Sequence, residues 1–183
     1  MYEQFAANGY SAAMPDAAAS VRIQTPAVTS DFGSQDDIML ETLEQEINRF
    51  FKRLQKQIRD VEQQSFEPGL EAVFTFVLNY FHEQQRLRFW RNIPLIQNEA
   101  LLQQCRSKIN SYEKELGEEL FLVFQKAAAQ GEIKADNLEG RKAMFVAMVH
   151  GLLDGMLLYH DCSIDIMVSA VKAWDAYWDG IKQ

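Results

Sequence analysis

The sequence predicts an all-α protein, and three observations carry that prediction. Apolar residues recur at steps of three and four through most of the chain, which is the period of one helix face and not of a strand. The 183 residues include only four Pro and nine Gly, and the glycines fall mainly between or near the ends of the apolar runs, where they punctuate long helices. With 48% hydrophobic, 11% aromatic and 24% charged residues, the composition is that of a folded globular protein of one or two domains.

Taken in order, the first 33 residues read as brief helices joined by tight turns. Residues Phe5 to Ala7 end a first helical turn, and Asn8-Gly9 supplies a stop with a left-handed-capable residue. Ser11 can cap a second helix running to about Ser20, and Thr25-Pro26 can open a third, with Thr as cap and Pro at the first helical position. The spacing of the second and third is that of a helix-turn-helix. Next, Leu40, Leu43, Ile47, Phe50, Leu54, Ile58 and Val61 predict one long amphipathic helix over about 35–63, packed on the rest of the protein in preference to a coiled coil.

Glu67-Pro68 opens a helix whose apolar positions cover almost its whole circumference, so it is expected to be buried. The segment from Arg86 to Trp90 continues that helix or forms a short one, and Asn92-Ile93-Pro94 breaks it. A long helix is expected from about Asn98 to Gln130, ended by Gly131. Asp136 or Asn137 can cap another running to about His160. A final helix over Ile164 to Ile181 carries an apolar stripe. The last two helices offer more apolar face than one small core needs, which predicts a homodimer through a two-fold four-helix interface.

Charge and cysteine usage narrow the setting. Residues 1–46 hold one basic residue, Arg22, against eight acidic ones, so they carry −7 of the net −8. Cys105 and Cys162 show no paired spacing and read as reduced, buried thiols. Residues 1–20 contain no Lys or Arg, so no secretory signal is read there and a cytoplasmic protein is expected. The stretch from Ala143 to Tyr159 is too short for a membrane span and holds His150 and Asp154, so it is read as a buried helix.

Several segments resemble the DNA-binding domain of the TetR (tetracycline repressor) family at its usual spacing. They are Phe5-Ala6-Ala7-Asn8-Gly9-Tyr10-Ser11-Ala12, Met14, Asp16-Ala17-Ala18, Pro26-Ala27-Val28 and Phe32-Gly33-Ser34-Gln35-Asp36-Asp37-Ile38. Downstream, Gly131-Glu132-Ile133-Lys134-Ala135-Asp136 and Gly151-Leu152-Leu153-Asp154-Gly155 look like features of the family's second domain. The resemblance implies a TetR-like fold: a small helix-turn-helix domain over 1–46 and a helical effector-binding and dimerisation domain over 47–183. It implies a homodimeric, effector-responsive transcriptional regulator, a repressor in the usual case, whose third helix enters the major groove of operator DNA.

The positions that would touch phosphate depart from the family. Where a Lys, a Tyr, a His and a second Lys are common, this sequence has Thr25, Thr29, Asp31 and Gln35, and a carboxylate pushed toward DNA is repelled. Few residues precede Phe5, fewer than the family's full first helix needs; a true truncation and an upstream start are both open readings. The candidate DNA contacts are Arg22, Gln24, Thr25, Thr29, Ser30 and Gln35, whose amide and hydroxyl groups can read base edges. The same residues are equally a polar surface on a protein that has lost DNA binding and acts as a ligand- or partner-binding module, a reading the −7 of residues 1–46 favours.

For an effector, the resemblance implies a cavity surrounded by Phe74, Phe81, Phe89, Trp90, Phe121 and Phe124. Tyr80, His82 and His150 could orient a small apolar or aromatic ligand. A plain hydrophobic core would use the same aromatic residues. His150 and Asp154 lie one helical turn apart and His160-Asp161-Cys162 is metal-friendly, but neither assembles three ligands at a recognised spacing, so no metal and no cofactor is expected. Gly151 and Gly155 on one helix predict a close helix approach. The sequence contains no GxSxG, P-loop, Rossmann or HExxH motif, and an enzyme is not expected.

Overall fold

The structure, a computed structural model, describes residues 2–10, 35–61, 63–158 and 165–183. Among them are seven α-helices: α1 (Tyr2–Asn8), α2 (Gln35–Val61), α3 (Phe66–Phe81), α4 (Gln84–Asn92), α5 (Glu99–Ala129), α6 (Leu138–Leu158) and α7 (Ile166–Ile181). A single 3-10 turn, Ile93–Leu95, separates α4 from α5. The expected second and third short helices lie outside the described residues.

The described residues pack as two units, one within Met1–Phe51 and Glu83–Tyr112, the other within Lys52–His82 and Glu113–Gln183. Both α2 and α5 contribute a segment to each unit. Helix α2 runs unbroken past residue 46, with Asp36 and Asp37 in its first turn and Arg59 in its last, the arrangement the helix dipole favours.

In the first unit, α1 stops at Gly9, whose φ of 74° is the left-handed conformation the sequence anticipates, and whose N–H donates to the Phe5 carbonyl at 2.9 Å. Tyr2 stacks on Phe89 at 4.7 Å between ring centroids, and Phe5 meets the same ring edge-on at 5.1 Å. Of the predicted α2 stripe, Leu43, Ile47 and Phe50 are buried here, whereas Leu40 is only half-buried and Met39, outside the stripe, takes the buried place instead.

In the second unit, α3 starts one residue before the expected Glu67, with Ser65 as its N-cap position. Its Gly69 lies against the end of α2. A Cβ there would stand 2.7 Å from Val61 Cγ1, so a side chain at 69 would push the two helices apart. Helix α5 ends at Gly131, φ 75°, in a Schellman arrangement: Glu132 N–H donates to the Ala127 carbonyl at 3.0 Å and Gly131 N–H to that of Ala128 at 3.1 Å. Asn137 caps α6 through Gly140 N–H at 3.2 Å.

Three expectations need correcting. The last helix begins at Ile166 and not at Ile164, because the Asp165 carboxylate accepts from Met167 N–H at 2.9 Å and Val168 N–H at 3.3 Å and so fixes the start. Helix α6 is not buried all round. It buries Phe145, Val149 and Leu153 but leaves Met144, Val146 and Leu158 at 65%, 40% and 72% exposure. Gly151 makes no close helix approach among the described residues, since a Cβ there would meet open space. Among the described residues, no helix is long and apolar enough to cross a membrane.

Candidate functional site

The proposed DNA-reading residues Arg22, Gln24, Thr25, Thr29 and Ser30 lie outside the described residues, and Gln35 is the first residue of α2. The structure instead shows what holds the two ends of that segment. On its N-terminal side, Asn92 of α4 donates from Nδ2 to the Phe5 carbonyl at 2.8 Å and the Ala6 carbonyl at 3.2 Å. A helix leaves its last carbonyls without intrahelical partners, so a side chain from a neighbouring helix completes α1.

On the C-terminal side stands Asp36, in the first turn of α2. Tyr10 donates its hydroxyl to Asp36 Oδ1, and Asn98 Nδ2 donates to Oδ2 at 2.9 Å. Asn98 in turn accepts Leu101 N–H at 3.2 Å and so caps α5. One carboxylate therefore ties together Tyr10, two residues past the end of α1, the start of α2 and the start of α5. Burial and the Asp36 contact push the Tyr10 hydroxyl pKa well above its ordinary value, so Tyr10 stays a donor. Cys105, fully buried, is pushed up to about 11, first by burial and then by the Asp36 charge, which makes it an inert thiol, as its lack of paired spacing suggests. Cys162 lies outside the described residues.

The seven candidate effector-binding residues divide between the units. Phe89, fully buried, belongs to the first unit, where its ring is the surface on which Tyr2 and Phe5 of α1 rest. Trp90 meets Phe50 at 6.0 Å and Phe51 at 5.9 Å in the same unit. The other five are in the second unit. Phe74 is buried against Trp174 at 5.5 Å and Phe145 at 6.4 Å, and Phe124 against Phe66 at 5.1 Å. Phe81 packs edge-on with Tyr80 at 5.2 Å, and Phe121 carries the Lys142 ammonium 4.9 Å over its ring.

His150 is exposed, one residue beyond the buried Val149 and so rotated about 100° away from the interior; it does not line the core of the second unit. Among the described residues no group of three His, Cys, Asp or Glu could hold a metal ion. One recess, lined by Val61, Phe66, Val123 and Ala127, has a volume of about 20 Å³, room for a water and not for an effector.

Three features escaped the sequence reading. One is the aromatic set Phe145, Trp174 and Tyr177, which completes the interior around Phe74. Another is a stitch between the 131–137 connection and the C-terminal end: Lys134 N–H donates to the Ile181 carbonyl at 2.9 Å, and Arg141 donates to the Gly180 carbonyl at 3.3 Å and to Asp136 Oδ1 at 2.7 Å. The last is Glu46, a carboxylate only 3% exposed. Its signal was available, because Met39, Leu43 and Phe50 form a 4-3-4 series with residue 46, which places Glu46 in an apolar slot.

Outward, α6 presents Met144, Gly151 and Leu158 at intervals of seven, and α7 presents Val168 and Val171 at 51% and 61% exposure. These apolar residues are exposed to solvent in the single chain.

The helices define a TetR-like fold. The chain is similar over its whole length to the crystal structure of a TetR family transcriptional regulator, PfmR from Thermus thermophilus, with a TM-score of 0.71 and 17% sequence identity, covering 100% of this chain and 96% of that one. What the two share at that identity is the fold. No family model matches the sequence. No curated protein matches it either.

Proposed function

We propose that this chain is an effector-responsive transcriptional regulator, a repressor, that binds operator DNA as a homodimer through residues near 11–35. The observation that carries the reading is the TetR-like fold over the full chain. Its domain division is the one the resemblance implies, with reading head in 1–46 and effector and dimer functions in 47–183. The dimer forms through α6 and α7, whose outward residues Met144, Leu158, Val168 and Val171 are apolar and exposed in the single chain. The effector is a small apolar or aromatic molecule held among aromatic residues of the second unit, with Phe74, Phe81, Phe121 and Phe124 as the candidates.

Two measurements test this. A random duplex library at low salt should yield a short palindrome whose binding weakens as salt rises; no enrichment of any duplex overturns the DNA-binding half. Gly151→Glu adds a charge where the single chain has open space, so it should leave the fold intact and shift the protein from dimer to monomer in sedimentation. A G151E protein that remains a dimer overturns the α6–α7 interface.

A second reading has a specific observation behind it. The −7 of residues 1–46 repels phosphate, which favours a TetR-like ligand- or partner-binding module that no longer reads DNA. It gives a dimer that takes up an apolar ligand and ignores every duplex.

A further inference from the structure

Among the described residues, Glu46 is the buried charged side chain of the first unit. Its side chain is 4% exposed. One carboxylate oxygen, Oε1, accepts from Arg49 one turn along α2, and Arg49 itself is half in solvent. The other, Oε2, is buried with no hydrogen-bond partner among the described residues. A carboxylate in that position loses its hydration and recovers only part of it from one half-exposed guanidinium, so the neutral carboxyl is the form that the site suits.

Among the described residues, three charged groups act on Glu46. From its own helix there is Arg49; from α4 there are Glu83 and Arg86. Glu83 and Arg86 are paired with each other, Nη2 to Oε2 at 2.8 Å. Glu83 is also the N-cap position of α4 and makes no side-chain cap; its carbonyl accepts Arg86 N–H at 3.0 Å and Leu87 N–H at 3.4 Å. The N-cap and first turn of α4 thus contain both members of the ion pair whose charges act on Glu46. Further along, α4 carries Phe89 and Asn92, the two residues that hold α1.

We propose that Glu46 is a proton-binding site that controls the position of α4: protonated, its carboxyl stays buried and Arg86 remains with Glu83; ionised, it draws Arg86 away from Glu83 and displaces the helix that carries α1. The proton comes from and returns to solvent, and no other chemistry is involved. The device needs only the first unit, so it stands whether or not the chain binds DNA.

Burial raises the Glu46 pKa above its ordinary value, against the opposing pull of Arg49 and Arg86. The folded state then holds a proton that the unfolded chain has already released. This contribution to stability is complete below the unfolded carboxyl value and is lost as pH rises through the higher folded one.

The test compares the wild-type protein with Glu46→Gln, a neutral side chain of the same shape. The Tm of E46Q minus that of wild type should be close to zero near pH 4 and widen by about 3 °C or more once the pH passes the folded value. Amide exchange should report the same step: protection of Arg86, Leu87 and residues 5–9 falls with rising pH in wild type, after correction for intrinsic rates, and stays constant in E46Q. Parallel Tm curves for the two proteins overturn the proposal, as does a Glu46 carboxyl ¹³C resonance that titrates at the ordinary carboxylate value. Arg86→Met provides an independent check. Loss of that cation should move the Glu46 titration further upward, and an unmoved titration rules out Arg86 as the group that the carboxylate recruits.

Discussion

Among the described residues, α1 and the starts of α2 and α5 are tied into the first unit by single residues that each serve several partners, whereas in the second unit several ring pairs and backbone bonds share the load. In the first, Asn92 completes α1, Asp36 joins Tyr10 to Asn98, and the Phe89 ring carries both Tyr2 and Phe5. In the second, Phe74, Phe145, Trp174 and Tyr177 contact one another in several pairs, and the C-terminal residues are bonded to the 131–137 connection at more than one point. An element held by a few shared anchors can be moved by a change at one of them; a redundantly held one resists.

The largest effects probe the aromatic interiors. Trp174→Ala should cost about 3–5 kcal/mol in denaturant unfolding through the cavity it leaves against Phe74 and Tyr177. Phe89→Ala should cost a similar amount and, in addition, expose the amides of α1 to rapid exchange. If F89A leaves α1 protected, the first unit is more redundant than the comparison holds.

Asn92→Ala comes next, at about 1–2 kcal/mol for the loss of a donor shared by two carbonyls, of which Phe5 keeps its bond from Gly9 N–H, with the loss of protection confined to α1. Arg141→Ala removes one of several bonds in the C-terminal stitch and should lower Tm by less than N92A does, because the Lys134 N–H to Ile181 bond remains. Smallest is Glu44→Gln. The hydrogen bond and charge of Lys108 hold the exposed Glu44 below the ordinary carboxyl value, so its contribution is present above that value and fades as pH falls. E44Q should flatten only the acid limb of the Tm–pH curve, opposite in direction to the Glu46 effect.

Much of the helical framework was legible because its signals are local. Gly9 and Gly131 mark helix ends through the left-handed backbone each adopts, and the three-and-four steps from Leu40 to Val61 trace α2 to within two residues. Orientation was harder. Helix α6 is apolar nearly all round, so periodicity could not separate the inward Phe145, Val149 and Leu153 from the outward Met144 and Leu158, nor place His150 outside. Phe89 and Trp90 are effector candidates in the sequence because aromatic residues serve cavities and cores alike; the structure adds that they pack against Tyr2, Phe5, Phe50 and Phe51, neighbours that no local pattern names.

The two bonds from Asn92 to the end of α1 bear on how the molecule can be dissected. A peptide cut after residue 46 would keep the whole of α1 yet lose both the amide that caps it and the Phe89 ring beneath it, 46 and 43 positions further along the chain. A seven-residue helix is too short to persist alone in water. Grafting this N-terminal segment onto another protein would therefore require carrying α4 with it, and any swap of N-terminal segments between chains of this fold has to exchange the two pieces together.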